Sequence, residues 1–237
     1  MCYRACCGSA TPTPREKLIS NYPLFPAFYS HWPARRGASG VAACRGHGPD
    51  QQIAALCPTH DVVALDLLGH GLSGQLAGEL SFRRFAVAVA QLIEDLGAGP
   101  VHLVGISCGS MVAQTVAVEH PALVCSLALI GAACTFTEAG RQALRARANF
   151  VRHEGLVALA PLSLARWFTS AFSQRRPDVL DRVTKLLGQQ EPAYHAALWE
   201  LIATLDTQAG LAPLGRPWLS SARKTPVLLA RRLIPWP

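Results

Sequence analysis

A chain of 237 residues, half of them apolar and 16% charged, is long enough to bury one core with an inserted cap and too short for two full-sized domains. Its formal net charge of +7 sits in the ends: residues 1–50 carry +4 and residues 211–237 carry +5, whereas residues 51–210 carry −2. A general basic field for nucleic acid or a membrane surface is thereby poorly supported, because the charged ends lack aromatic interleaving and any recognisable binding module.

Cysteine placement narrows the class further. Cys57, Cys108, Cys125 and Cys134 stand singly in apolar segments, the pattern of small buried hydrophobes in a reducing compartment. Cys2, Cys6 and Cys7, with Cys44 as a conceivable fourth thiolate, lack the paired spacing of a zinc site, so neither metal nor cofactor is expected. Met1 to Tyr22 holds no continuous apolar stretch of the secretory kind, and no run approaches the ~18 apolar residues of a membrane span. The expectation is a cytoplasmic protein with no membrane or nucleic-acid partner.

In chain order, residues 1–50 are rich in Pro, Arg and small residues without alternation or a helical stripe, and read as irregular: disordered, or translated in the wrong frame. From Gln51 the pattern becomes orderly. A short helix (Gln51–Cys57) leads to a strand (Val62–Leu67) and the loop Gly69-His70-Gly71. Ser81 then caps a helix with Phe82, Phe85, Val89, Leu92, Ile93 and Leu96 on one face, ended by Gly97-Ala98-Gly99-Pro100. A buried strand begins at Val101, a helix covers Ser110–His120 up to Pro121, and Val124–Ile130 is another continuous apolar strand. Strand, helix, strand, helix, strand at this spacing predicts an α/β fold with a doubly wound, mostly parallel sheet, its core spanning residues 51–136.

Residues 137–206 turn almost entirely helical, with predicted helices Thr137–Arg152, Leu156–Phe172, Pro177–Leu187 and Pro192–Leu205. This is the composition of a helical cap inserted after a sheet strand. Residues 207–237 read as a truncated remainder of the core, with Thr225 and Pro226 opening a helix whose stripe is Val227, Leu228, Leu229 and Leu233. The sheet so read lacks strands at both edges.

The chemistry concentrates in Gly105-Ile106-Ser107-Cys108-Gly109, between the strand from Val101 and the following helix. A serine at a sharp strand-to-helix turn exposes its Oγ, provided the residues two before and two after are small enough for strand and helix to approach. Gly105 and Gly109 meet that condition. The N–H of Cys108, at the helix N-terminus, is then placed to stabilise a developing oxyanion.

Together with Asp66-Leu67-Leu68-Gly69-His70-Gly71-Leu72-Ser73, the pentapeptide resembles the α/β-hydrolase fold family. The resemblance implies that Ser107 is the catalytic nucleophile, that Cys108 supplies an oxyanion N–H, and that His70 is a structural residue of its turn. A second oxyanion donor is implied after an upstream strand, where His47-Gly48 is the matching dipeptide although no apolar strand leads into it. Over residues 51–214 the cap is similar to that of the 3-oxoadipate enol-lactonases, through His153-Glu154-Gly155-Leu156, Arg166-Trp167-Phe168-Thr169 and Pro192-Ala193-Tyr194. That likeness implies hydrolysis of a small carboxylic ester or lactone, 3-oxoadipate enol-lactone in aromatic catabolism, with Trp167 and Phe168 roofing the substrate and Arg166 facing its carboxylate. The acid and base the family requires do not stand at their expected places: no Asp or Glu follows Asp206 and no His follows His195. A hydrolase and a non-catalytic small-molecule binder, or a degenerate product, therefore both remain open at this stage.

Overall fold

The computed structural model describes residues 29–31, 40–45, 55–56, 59–71, 73–97, 99–212 and 218–221. Among the described residues six strands form one sheet: β1 (Tyr29–His31), β2 (Gly40–Arg45), β3 (Asp61–Asp66), β4 (Val101–Ile106), β5 (Val124–Ile130) and β6 (Trp218–Ser221), in the order β1-β3-β2-β4-β5-β6. All neighbours are parallel except β1 against β3. After β2 the chain steps outward to β3, then returns past β2 to β4. The switch in direction falls between β2 and β4, and open α/β sheets bind ligands at the carboxyl ends of strands there.

The helices follow from local signals. α1 (Phe82–Leu96) starts where the Ser81 hydroxyl accepts from the Arg84 N–H at 3.3 Å, and ends at Gly97 with φ 60°. Its buried face carries Phe85, Val89, Leu92 and Ile93, as the periodicity predicts. α2 (Cys108–Glu119) is buried along most of its length, so its polar Gln114 and Thr115 are satisfied internally. β3 is buried on both faces, and its Leu65 packs with Leu68, Phe85, Leu103, Val112 and Val116 in the main core.

The cap rises from β5. α3 (Glu138–Trp167) is two helices joined at Gly155, whose φ of 78° and ψ of 171° interrupt the helical path. That break coincides with the predicted gap between Arg152 and Leu156. The second half stops at Trp167, short of the predicted Phe172, because the Thr169 hydroxyl caps a new helix by accepting from the Phe172 N–H. That helix is α4 (Ser170–Arg175); α5 (Pro177–Gly188), α6 (Pro192–Ala203) and the short α7 (Gln208–Leu211) follow. Ala148, Val151, Leu156, Leu159 and Ala196 give the cap its own apolar core between α3 and α6.

Three sequence expectations need correction. Within residues 1–50, read as irregular, two strands stand: Gly40-Val-Ala-Ala-Cys-Arg has a single β-branched residue, so its place between β3 and β4, not its propensity, makes it a strand. Among the described residues the outermost strands are β1 and β6, both short. Cys125 is exposed, not buried, because it lies on an outward position of β5; Cys108 and Cys134 are half-buried free thiols. Most of the helix predicted at Gln51–Cys57, Cys57 itself, the amino-terminal cysteine group's Cys2, Cys6 and Cys7, and the helix predicted from Thr225 lie outside the described residues.

Cap and core are fastened at the loop after β3. The Tyr194 hydroxyl, on α6, donates to the Leu68 carbonyl at 3.2 Å and accepts from the Leu76 N–H at 3.5 Å. Its ring covers Gly69 so closely that a Cβ there would stand 1.8 Å from Tyr194 Cε1, and Gly69 has φ 79°. A Gly69→Ala substitution therefore meets both a steric and a backbone penalty, and is expected to destabilise the fold by about 2–4 kcal/mol. Urea denaturation followed by tryptophan fluorescence measures this; an unchanged midpoint would mean that Tyr194 does not anchor the cap.

Candidate active site

β4 brings the chain to the carboxyl edge of the sheet, and Ser107 turns it into α2. Among the described residues Ser107 is the one non-glycine with positive φ (φ 53°, ψ −121°), a conformation that costs about 1–3 kcal/mol and persists only where its surroundings impose it. The Ser107 N–H donates to the Ile130 carbonyl at 2.9 Å, tying the turn to the end of β5. Its own carbonyl accepts from the Ser110 N–H at 2.9 Å and from the Ser110 hydroxyl at 2.5 Å.

Gly105 explains how strand and helix meet. A Cβ at that position would lie 2.4 Å from the Gly109 carbonyl oxygen and 2.6 Å from Ser110 Cα, so a side chain would force α2 away from β4. The result is a serine left exposed at the sheet's rim, with its hydroxyl uncommitted to capping the helix. Ile106 and Ile130, 49% and 42% exposed, flank it with apolar surface. Cys108 opens α2, so its N–H lacks a partner within the helix and points as an orphan donor at the helix N-terminus. Burial pushes the Cys108 thiol up to about 12, away from the reactive thiolate.

β2 is the strand next to β4, with Ala43 opposite Val104, and it ends at Arg45. A strand does lead toward His47-Gly48, against the sequence expectation, although His47-Gly48 itself lies outside the described residues.

The remaining polar candidates are placed as follows. His102 Nδ1 shares a 2.6 Å hydrogen bond with Ser126 Oγ on the neighbouring strand, and the exposed His153 lies on α3. Asp206 is exposed and bound up in the cap's return to the core. It bridges Thr135, and its carboxylate accepts from the Gln208 N–H at 3.3 Å. Asp66 ends β3, where its carbonyl accepts from the Ser73 hydroxyl at 2.7 Å. Phe168 stacks on Phe172 at 5.1 Å and 11°, and Trp167 is 51% exposed at the end of α3. Arg166 is exposed beside them.

Arg147 and Trp199, which sequence reasoning passed over, gather with His195 and His70 between the cap helices and the core loop. His195 and Trp199, one turn apart on α6, lie 6.1 Å apart edge to face, and His195 is 6.2 Å from His70 on the core loop. The Arg147 guanidinium sits 4.8 Å over the Trp199 ring. Trp199 and Cys108 both border the apolar cluster of Met111, Ile202 and Leu205. The i, i+4 spacing of His195 and Trp199 was the one signal in the sequence, and it shows only that they share a helix face. Among the described residues, no group of three or more His, Cys, Asp or Glu is placed to hold a metal ion, and no helix is long and apolar enough to cross a membrane.

Residues 40–230 match the family model of the alpha/beta hydrolase fold. The chain belongs to that family. Among its relatives, 3-oxoadipate enol-lactonase 2 of Acinetobacter baylyi is 29% identical over 71% of this chain and 62% of that enzyme. The (E)-2-((N-methylformamido)methylene)succinate hydrolase of the same organism is 33% identical over 52% of this chain and 48% of that enzyme. The chain thus spans about half to two thirds of the length of these relatives. An enol-lactonase from Burkholderia xenovorans superposes with a TM-score of 0.75 at 24% identity, covering 82% of this chain and 76% of that one, which shows the shared α/β-hydrolase fold.

Burial, and secondarily the neighbouring His70, lower the His195 pKa from 6.5 to about 4. The unfolded chain then binds more protons than the folded one between those values, so stability rises with pH across that window and is lost as pH falls from 6.5 toward 4, by up to about 1.4 kcal/mol per unit. His102 is lowered too and adds the same sign, so the contribution is isolated by comparison. Thermal denaturation of a His195→Gln variant is expected to show a smaller drop in Tm between pH 7 and pH 5 than the parent protein; parallel drops would contradict the burial of a neutral imidazole.

Proposed function

We propose that this member of the alpha/beta hydrolase family is a serine hydrolase of small carboxylic esters or lactones, with Ser107 as nucleophile, and that its substrate is an enol-lactone of the 3-oxoadipate type. The observation that carries the proposal is the exposed Ser107 hydroxyl on a strained turn beside an orphan helix N–H. The names of the relatives and the cap sequence support the lactone as substrate. A cytoplasmic location fits the reading.

In this mechanism Ser107 Oγ adds to the lactone carbonyl carbon while its proton passes to a base. The tetrahedral oxyanion takes a hydrogen bond from the Cys108 N–H, the ring C–O bond breaks, and the enolate oxygen leaves with a proton. Water then adds to the acyl-enzyme and releases Ser107. Trp167, Phe168 and Arg166, on the cap, are proposed to face the substrate. A second reading, binding without turnover, is favoured by one observation: the Ser107 hydroxyl makes no hydrogen bond to an imidazole among the described residues. A serine without a base is a weak nucleophile, and the oxyanion donor and binding alone leave roughly 10³–10⁴-fold over water.

A fluorophosphonate separates the two readings, since it reacts with an activated serine and not with a binding site. The hydrolase reading expects stoichiometric labelling of the peptide containing Ser107 and none in a Ser107→Ala variant. Absence of labelling in the parent protein would leave the binding reading standing.

A further inference from the structure

Beyond the break at Gly155, α3 presents two faces of opposite fate. Leu156, Leu159, Ala160 and Ser163 are buried, and Leu156 and Leu159 join the cap's own apolar core. On the opposite side Val157, Ala158, Pro161, Leu162 and Ala165 all stand exposed, Val157 at 59% and Leu162 at 65%. At about 100° per residue these side chains fall within one stripe of the helix, and no polar side chain interrupts it. Single exposed apolar residues are ordinary on a protein surface, whereas an unbroken apolar stripe marks a contact surface. Charge brackets the stripe: Glu154 stands just before the helix restarts and Arg166 near its end, both exposed. Neither forms an ion pair with another described residue. The helix rises roughly 15 Å between Leu156 and Arg166, which keeps the two charges apart within one chain.

We infer that this face of α3 packs against the same face of a second copy of the chain, the two helices antiparallel about a two-fold axis near Pro161 and Leu162. The stripe is self-complementary in that arrangement. Leu162 of one copy lies over Pro161 of the other, and the small Ala158 and Ala165 on either side let the helices approach closely. Each end of the stripe then meets the opposite end, so Glu154 of one copy comes beside Arg166 of the other, and the two-fold repeats the contact. A parallel pairing sets like charges together instead, which selects the antiparallel one. A face of about three turns falls short of the roughly 800 Å² per partner of a standard interface, so the dimer is reversible and forms as concentration rises. The inference goes beyond the hydrolase reading and does not depend on it: a guanidinium has five N–H donors, so Arg166 pairs across the dimer and keeps donors for a substrate.

Sedimentation velocity of the full chain, run without substrate from low to several hundred micromolar, reads the association. The weight-average coefficient is expected to climb from that of a monomer toward that of a dimer. A Leu162→Glu variant is expected to stay monomeric over the whole range with unchanged circular dichroism, because the residue is exposed and its loss leaves the cap's core intact. Glu154→Arg and Arg166→Glu are each expected to weaken dimerisation about fivefold, and the double variant to recover the parent's affinity, since it restores opposite charges at both contacts. That recovery requires the two residues to meet between chains. A monomer at every concentration, a dimer indifferent to Leu162→Glu, or charge reversals whose combination fails to recover would overturn the inference. Labelling of Ser107 bears on the hydrolase reading alone, and its failure leaves the dimer result intact.

Discussion

The crossing of β4 and α2 leaves no room for a side chain at Gly105, and the geometry of the site descends from that contact. Because the helix backbone lies directly against the end of the strand, the residue between them must turn through a positive φ, and Ser107 is held there by hydrogen bonds to Ile130 and Ser110. The strain is local and the restraint is distributed: β5 fixes one side of the turn, the first turn of α2 the other. The outcome is a hydroxyl that projects from the rim of the sheet with an unpaired helix N–H beside it. The fold places that rim at the switch between β2 and β4, so topology and local geometry select the same spot.

A second close approach fastens the helical segment to the core. Tyr194 lies on Gly69 and hydrogen-bonds the backbone of Leu68 and Leu76, while at the other end Arg141 bonds the carbonyls of Ala203 and Leu205 and the hydroxyl of Thr135. Thr207 closes the return, its hydroxyl donating to Gln114 at 2.6 Å and its N–H to the Cys134 carbonyl at 2.8 Å. These polar clamps fix α6 relative to the core loop. His195 on α6 consequently lies 6.2 Å from His70, and Arg147 sits over the Trp199 ring on the same helix.

Much of this was legible where one segment carries its own reason. Val124–Ile130 is a continuous apolar run and forms β5 to the residue; Gly155 breaks α3 where the helical pattern lapses; Gly-x-Ser-x-Gly announces the turn at Ser107. What escaped depends on neighbours. Gly40–Arg45 and Trp218–Ser221 have weak strand propensity and are strands through pairing with β3, β4 and β5. The Phe168 ring shares its helical face pattern with α3, but the Thr169 cap ends that helix before it. Arg147 and Trp199 meet only through the packing of α3 on α6, and no local pattern in the chain announces that convergence.

The account depends on Ser107 Oγ forming a covalent bond with the acyl group of its substrate. Rapid acid quenching of the protein with a carboxylate-bearing enol-lactone, followed by peptide mass spectrometry, reads this directly. The account predicts an acyl adduct of the ring-opened lactone on the peptide containing Ser107. Consumption of the lactone with no adduct at any time point, or an adduct on another residue, would contradict it.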